Sequence, residues 1–322
     1  MQTRYYLGVD VGGTKTHAML ADDDCRVVGF GEAGPGNHEG VGYPGLEAAM
    51  AQAVGQALLQ AGIAPRQIAG AGFGVGGYDW PSEREPTLRS IAALGIDAPL
   101  ELVNDAMLGL IAGARQGWGI AVVAGTGCNC WGWDAEHRTA HMTGAGGWMG
   151  EAAGAGELVQ EAVARISRFW SHRGPPTRLV EAFVASTGAR DLDDLIEGLV
   201  MQRYTLDTQA APLVFQVAAA GDPMACEVIT WAGEALADLA NGVIRQLRFA
   251  DQPFEVILVG SLYNGGDLMI RPMRQAILRL APHAELVKLE APPVVGGVLL
   301  GMQQAGLDTT DRRAALIAAA RG

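Results

Sequence analysis

Apolar positions open this chain in short runs broken by glycines and acidic turns. Tyr5 to Val11 is an apolar run that ends in Gly12-Gly13, and Thr16 to Leu20 resumes after them. Asp22-Asp23-Asp24 marks a turn, and Arg26 to Phe30 is a third β-prone stretch. The pattern predicts strand, tight turn, strand, turn, strand. Gly31 to Tyr43 is expected to be a glycine-rich loop. Leu46, Met50, Val54, Leu58 and Ala61 then recur at helical spacing and predict a helix up to Gly62. Ile68 to Val75 has the apolar continuity of a buried strand, Glu83 to Leu94 of a helix, and Leu100 to Val103 of a short strand. Asn104 or Asp105 can cap a following helix that runs to about Gln116.

The opening pattern then returns. Gly119 to Ala124 is an apolar strand, Gly125-Thr126-Gly127 a turn, Asn129 to Trp133 a second strand, Asp134-Ala135-Glu136 another turn, and Arg138 to Met142 a third strand. An offset of 112 positions lays Gly13 on Gly125, Thr14 on Thr126, Asp22 on Asp134 and Arg26 on Arg138. A period this long is no solenoid. It implies two domains that open with the same three-stranded unit, as a length of 322 residues also implies at about 150 residues per domain. The boundary falls near 115–118 and gives domains at 1–116 and 117–322. Beyond the glycine-rich stretch Gly144 to Gly156 the spacing turns helical, with segments near 157–170, 176–187, 191–202, 210–220 and 223–249. Glu255 to Val259 is again a strand, followed by Gly260-Ser261 and by Gly265-Gly266 opening a helix near Asp267. Pro292-Pro293 precedes an apolar helix over Val294 to Gln304, whose Gly296, Gly297 and Gly301 fit tight helix packing.

Composition narrows the function classes. With 49% hydrophobic and 18% charged residues the chain can bury a core, which excludes a disordered or fibrous protein. Its charge of 23 − 35 = −12 lacks the basic footprint of a nucleic-acid or anionic-membrane binder. An anionic ligand would have to be held by backbone N–H groups and a cation instead of a Lys/Arg cluster. Four cysteines make no disulfide scaffold, and Cys128-x-Cys130 has no second pair at metal-ligand spacing. The first residues show no basic segment followed by an apolar stretch, and no run of 18 apolar residues occurs. A soluble cytoplasmic α/β protein is therefore expected.

Asp10-Val11-Gly12-Gly13-Thr14-Lys15-Thr16 carries the most chemistry. A strand–turn–strand arrangement would bring the N–H groups and hydroxyls of Gly12, Gly13, Thr14, Lys15 and Thr16 to one hairpin tip, where they can cradle phosphate oxygens. Asp10, at the strand end, could hold Mg²⁺ through water. No glycine precedes Lys15 and a strand follows, so the segment is neither a Walker A loop nor a dinucleotide fingerprint. Read without a ligand, it is a glycine-rich hairpin with a solvated Lys and Thr. Gly125, Thr126 and Gly127 form a second such loop, and two matched tips could clamp one polyphosphate across a cleft. For Asn104-Asp105 two roles compete: a helix cap worth about 1 kcal/mol, or a carboxylate that takes a proton from an acceptor hydroxyl, kept ionised by the helix N-terminus. The two are compatible if Asn104 is the cap. Gly260-Ser261 could let backbone lie close to a purine. Asn37 and His38 offer hydrogen bonds to a polar ligand, although a surface histidine is an equal reading of His38. Trp80, Trp131, Trp133 and Trp148 fit a core role better than sugar stacking.

These motifs in this order resemble the actin-like ATPase superfamily of sugar kinases, Hsp70 and actin. Within it the whole chain is similar to the N-acetylglucosamine kinase-like group, which includes the BadF/BadG/BcrA/BcrD ATPases. GVDVGGTKT resembles the first phosphate motif, GTGCN the second, LVGSLYNGG the adenosine motif with Gly260 and Ser261, and PPVVGGVLLG the C-terminal Pro- and Gly-rich helix. The resemblance implies a two-domain ribonuclease H-like α/β fold with a duplicated mixed sheet and a helical insertion in the second domain. It also implies ATP·Mg²⁺ in the interdomain cleft, an amino-sugar or hexose substrate beside it, and a homodimer. Asp105 matches the catalytic aspartate and Asp10 the Mg²⁺-linked one. Asn37 matches the sugar-binding asparagine, Thr126 and Gly127 match residues touching both sugar and phosphate, and Gly146 and Gly147 match glycines of the sugar pocket. The sequence departs from relatives in two places. Glu39 stands where they carry an aromatic residue, and Gly150-Glu151-Ala152-Ala153-Gly154 stands where they read Gly-Asp-Glu-Gly-Ser, so that Glu151 takes the aspartate's place. The leading expectation is an ATP-dependent kinase acting on the primary hydroxyl of an N-acetylated hexosamine. Two rivals are an ATPase activator of a reductase or dehydratase and a sugar-binding homologue with impaired catalysis.

Overall fold

The computed structural model describes residues 3–321. Its first sheet is built from β1 (Tyr5–Val11), β2 (Thr16–Asp22), β3 (Val27–Ala33), β4 (Ile68–Val75) and β5 (Leu100–Val103) in the order β3-β2-β1-β4-β5. β2 runs antiparallel to both β1 and β3, whereas β4 is parallel to both β1 and β5. Helix α1 (His38–Ala61) carries the chain across to β4, α2 (Arg84–Ala92) links β4 to β5, and α3 (Asp105–Gly113) leads out of the sheet. The central strand β1 reads as continuous apolar sequence because both its faces are covered: Tyr6, Leu7, Val9 and Val11 are fully buried.

The second sheet repeats the first. β6 (Gly119–Ala124), β7 (Cys128–Trp133), β8 (Thr139–His141), β9 (Phe254–Val259) and β10 (Ala284–Lys288) lie in the order β10-β9-β6-β7-β8, with the same senses of pairing. The duplication expected for three strands thus extends to five. Strand β10, alternating and short, was not anticipated. Between β8 and β9 the chain is helical: α4 (Ala155–Trp170), α5 (Leu179–Thr187), α6 (Leu192–Val200), α7 (Ala211–Ala219) and the long α8 (Pro223–Leu247), which covers the second sheet with a wholly apolar stripe. α9 (Asp267–Leu280) crosses from β9 to β10. No single helix among the described residues is long and apolar enough to cross a membrane.

The chain ends with α10 (Val294–Gln304) and α11 (Arg312–Ala320), the latter not foreseen. α10 lies on the first sheet although it follows the second. A Cβ on Gly72 would sit 2.2 Å from Gly297 O, and one on Gly8 would sit 2.4 Å from Val298 N. Helix and sheet backbones therefore touch, which only glycine permits. The glycines of this helix serve packing, as expected.

The expected loop Gly31 to Tyr43 is mostly regular structure. β3 continues to Ala33 because Gly29 and Gly31 face α1, where any Cβ would strike the carbonyls of Ala57 and Ala53 at 2.2 and 2.0 Å. α1 begins at His38, capped by Asn37, and is interrupted at Gly42 (φ 70°). Gly31, which read as loop, thus marks close helix–strand contact.

Candidate active site

The loops that end β1 and β6 meet. Gly12 N donates to Lys15 O at 2.9 Å in the first hairpin tip, and Gly125 N donates to Gly127 O at 2.9 Å in the second. Their threonines touch, with Thr14 Oγ1 3.0 Å from Thr126 Oγ1. Gly13, Gly125 and Gly127 have open space where a side chain would begin. The second tip is braced from behind by the start of α4, where Ala155 N donates to Gly125 O at 2.9 Å. Gly260 (φ 118°) backs the same tip, since a Cβ there would fall 2.2 Å from Ala124 O, and Ser261 opens a short helical turn after it. Lys15 points elsewhere, its Nζ lying 3.6 Å from the exposed Glu32 carboxylate on the outer side of the hairpin. Thr16 is fully buried with its hydroxyl unpartnered.

Carboxylates line the floor beside these tips. Asp105 is the first residue of α3. Its Oδ1 accepts from Ala106 N at 2.9 Å, and a Cβ on Gly76 would sit 3.1 Å from its Oδ2. Asn104 is the N-cap, its side-chain oxygen accepting from Ala106 N at 3.0 Å. Both roles considered for this dipeptide are therefore available, one to each residue. The helix terminus does not keep Asp105 strongly acidic, however. Burial, and then the charge of Asp79, push its carboxyl up to about 7. Asp10 is pushed up to about 8, again by burial first and then by the charge of Asp105. Two carboxyl groups so displaced suit a divalent cation, which takes one or two carboxylates plus phosphate oxygens.

Asp79 is a member of the site that the sequence reading missed. It follows Gly76-Gly77 at the end of β4 and is 7% exposed. Its Oδ1 accepts from Asn104 Nδ2 at 3.2 Å, Asn129 Nδ2 at 3.2 Å and Trp131 Nε1 at 3.4 Å. It thereby ties the cap of the Asp105 helix to the strand behind the second tip. Burial pushes its carboxyl up to about 6 against the pull of those hydrogen bonds. The glycine pair Gly76-Gly77 at the end of a buried strand is a sequence signal that could have found it.

The remaining residues assigned to substrate gather around Gly77 and the Gly144 to Gly154 loop. Asn37 Oδ1 accepts from Glu39 N at 2.8 Å, and its Nδ2 donates to Glu39 Oε2 at 3.2 Å. His38 is not a surface histidine. Its side chain is 10% exposed, stacked on Tyr43 with Nε2 3.5 Å from Glu83 Oε1, and its Nδ1 has no partner. Gly77 (φ 82°) leaves room for both, since a Cβ there would lie 2.4 Å from Asn37 Oδ1. Gly146 and Gly147 begin a short turn between positive-φ glycines. Glu151 is buried and turned into its own loop, where its oxygens accept from Thr143 N at 2.7 Å and Gly144 N at 2.9 Å. Trp131 and Trp133 are core residues as expected, but Trp80 and Trp148 are 48% and 83% exposed. Cys128 and Cys130 sit in β7. Burial, followed by the charge of Glu157, raises the Cys128 thiol to about 12, and burial also raises Cys130, so neither is a ready thiolate. No group of three or more metal-ligating side chains occurs among the described residues.

A cavity of about 500 Å³ lies against Asp79 and Asn104 between β5 and β8, with Trp80, Trp131 and His141 in its walls. Asp105 does not line it, so it adjoins the cleft without being the cleft.

Residues 7–301 match the profile of the BadF/BadG/BcrA/BcrD ATPase family. The chain is 22% identical over 315 residues to the N-acetyl-D-glucosamine kinase of Dictyostelium discoideum, covering 94% of this chain and 99% of that protein. It is also 22% identical over 304 residues to the N-acetylmuramic acid/N-acetylglucosamine kinase of Clostridium acetobutylicum, with the same coverage. Among solved structures it resembles a Chromobacterium violaceum protein provisionally named an N-acetylglucosamine kinase, with a TM-score of 0.69 and 25% identity over 92% of this chain and 98% of that one. A ROK family glucokinase from Streptomyces griseus shares the fold, at a TM-score of 0.53 and 20% identity, with 98% of each chain covered.

Proposed function

The chain belongs to the BadF/BadG/BcrA/BcrD ATPase family, and on that footing we propose that it is an ATP-dependent kinase that phosphorylates the primary hydroxyl of N-acetylglucosamine or a related amino sugar. The observation that carries this reading is the meeting of Thr14 and Thr126 at 3.0 Å, on two loops of which the first follows the strand bearing Asp10, whose carboxyl feels the charge of Asp105. It gives one cleft two sets of backbone donors and a carboxylate base, which is what phosphoryl transfer to an alcohol needs.

In this reading the backbone from Gly12 to Thr16 and from Gly125 to Gly127 holds the ATP phosphates, and Gly260 and Ser261 flank the adenosine. Asn37, His38, Asn104, Gly146, Gly147 and the loop fixed by Glu151 enclose the sugar. Asp105 accepts the proton of the primary hydroxyl as its oxygen bonds to the γ-phosphorus and the bond to ADP breaks. A carboxyl near 7 is well matched to that task at neutral pH. Asp10 would hold Mg²⁺, which when bound neutralises phosphate charge. The units 1–116 and 117–322 close on the substrates and exclude water, so that the γ-phosphoryl is not lost to hydrolysis. A cytoplasmic setting, where ATP is at hand, goes with this activity.

The test is ADP release, coupled to NADH oxidation, with glucose, glucosamine, N-acetylglucosamine, N-acetylmannosamine and N-acetylmuramic acid as acceptors. Sugar-dependent release with an N-acetylated hexosamine is expected. Release independent of every sugar would favour an ATPase of another kind.

A further inference from the structure

Glu157 stands in the first turn of α4 and is held against the second hairpin tip. Gly156 N approaches Thr126 O at 3.5 Å and Ala155 N donates to Gly125 O at 2.9 Å, so the turn that carries Glu157 moves with that tip. Its side chain runs between three glycines. A Cβ on Gly154 would lie 2.8 Å from Glu157 Oε2 and 2.5 Å from Gly127 Cα, and one on Gly147 would lie 3.8 Å from Glu157 Cγ. Gly127 and Gly147 are the residues assigned above to the sugar side of the cleft.

Glu157 Oε2 is buried and has no hydrogen-bond partner. No Lys, Arg or His lies within ion-pair distance of it among the described residues, unlike Glu161 one turn on, which pairs with Arg165 at 3.0 Å. An acceptor withdrawn from water without a donor is destabilising. Such an atom persists where something other than the fold supplies the donor. The neighbouring groups do not supply it: the Cys128 thiol donates to Glu151 O at 3.5 Å, and the Thr143 and Gly144 N–H groups go to Glu151. A sugar ring offers donors of the right kind, since each hydroxyl can give its hydrogen to a carboxylate oxygen in a charge-assisted bond.

We propose that Glu157 is a sugar-contact residue whose carboxylate accepts a hydrogen bond from a secondary ring hydroxyl of the bound hexosamine. This rests on the kinase reading for the identity of the ligand. It makes Glu157 a determinant of which hexosamine is accepted. A site built to pair with a hydroxyl discriminates strongly against a ring that lacks it.

Glu157→Gln tests the assignment with N-acetylglucosamine as probe. The amide keeps the size of the side chain and removes its charge. KM for the sugar is expected to rise at least about tenfold, the loss of one charge-assisted bond, with KM for ATP changed less than about twofold. The 3-deoxy and 4-deoxy sugars give a second readout. The parent protein should lose affinity for one of them, and Glu157→Gln should show no further loss on that same analogue. A purely structural glutamate would produce no such coupling. The midpoint of thermal unfolding without sugar should stay level or rise, because the charge on a carboxylate with one unpartnered buried oxygen has been removed, and the stabilisation by added sugar should shrink.

An unchanged sugar KM, or equal losses on all deoxy analogues, overturns the assignment while leaving the kinase reading intact. ADP release that depends on no sugar overturns the kinase reading. In that event calorimetric titration of N-acetylglucosamine into parent and variant decides the inference directly, and equal binding or none refutes it.

Discussion

Thr14 and Thr126 are 112 positions apart in sequence, and their hydroxyl oxygens are 3.0 Å apart in space. Each stands at the tip of the hairpin that opens its half of the molecule, so the two copies of the duplicated unit touch at equivalent atoms. A phosphate entering between the tips replaces a neutral hydroxyl pair with charge-assisted bonds, which are roughly twice as strong.

Thr14→Val should therefore weaken nucleotide more than sugar. The expected outcome is a rise in KM for ATP of about tenfold with KM for the sugar nearly unchanged, read from initial rates at saturating second substrate. Equal effects on both substrates would move Thr14 out of the phosphate site.

Asp105→Asn should leave both substrates bound and remove the base. Turnover is expected to fall by about two orders of magnitude or more, while calorimetric affinities for ATP and sugar stay within a few-fold of the parent. Near-normal turnover would take Asp105 out of its assigned role.

The pH dependence follows from the same residue. Asp105 has to be ionised to accept a proton, and its carboxyl is held at about 7. Activity should accordingly climb as pH rises from about 6 to about 8. The charge of Asp79 is one cause of that elevation, so Asp79→Asn should move the acid limb to lower pH. A limb that stays in place, or shifts upward, contradicts the electrostatic link between the two carboxylates.

Asp10 makes a prediction about stability. Its carboxyl is raised from 3.8 to about 8 in the fold, so between those values the folded protein holds a proton that the unfolded chain has released. The associated stability is complete below the lower value and is lost as pH rises through the upper one. Without Mg²⁺ and nucleotide, Asp10→Asn should melt a few degrees above the parent at about pH 8.5, and the gap should close toward pH 4. Added Mg²⁺ should narrow it at high pH by stabilising the parent alone. Identical melting curves across the range would show that burial does not strain this carboxylate.

Much of this architecture was legible because its causes are local. The short apolar run Tyr5 to Val11 read as a strand and is one, and the 112-residue echo of Gly13-Thr14 at Gly125-Thr126 revealed the duplication. Asn104 read as a cap and is one. What the chain concealed depends on contacts between distant segments. Gly31 looks like a loop residue until α1 is laid across it. Nothing near Glu151 in sequence announces that Thr143 and Gly144 will donate to its carboxylate and fix the loop around it. Asp79 becomes part of the site only through Asn104, Asn129 and Trp131, which the fold gathers onto one oxygen. The sequence alone determined every described strand but β10, the paired glycine tips and the family they resemble, because turn chemistry and hydrophobic period are written in neighbouring residues. Which carboxyls are raised, which donors are already taken and which acceptor is left without one were decided by tertiary structure, because burial and charge proximity are properties of side chains brought together from separate parts of the chain.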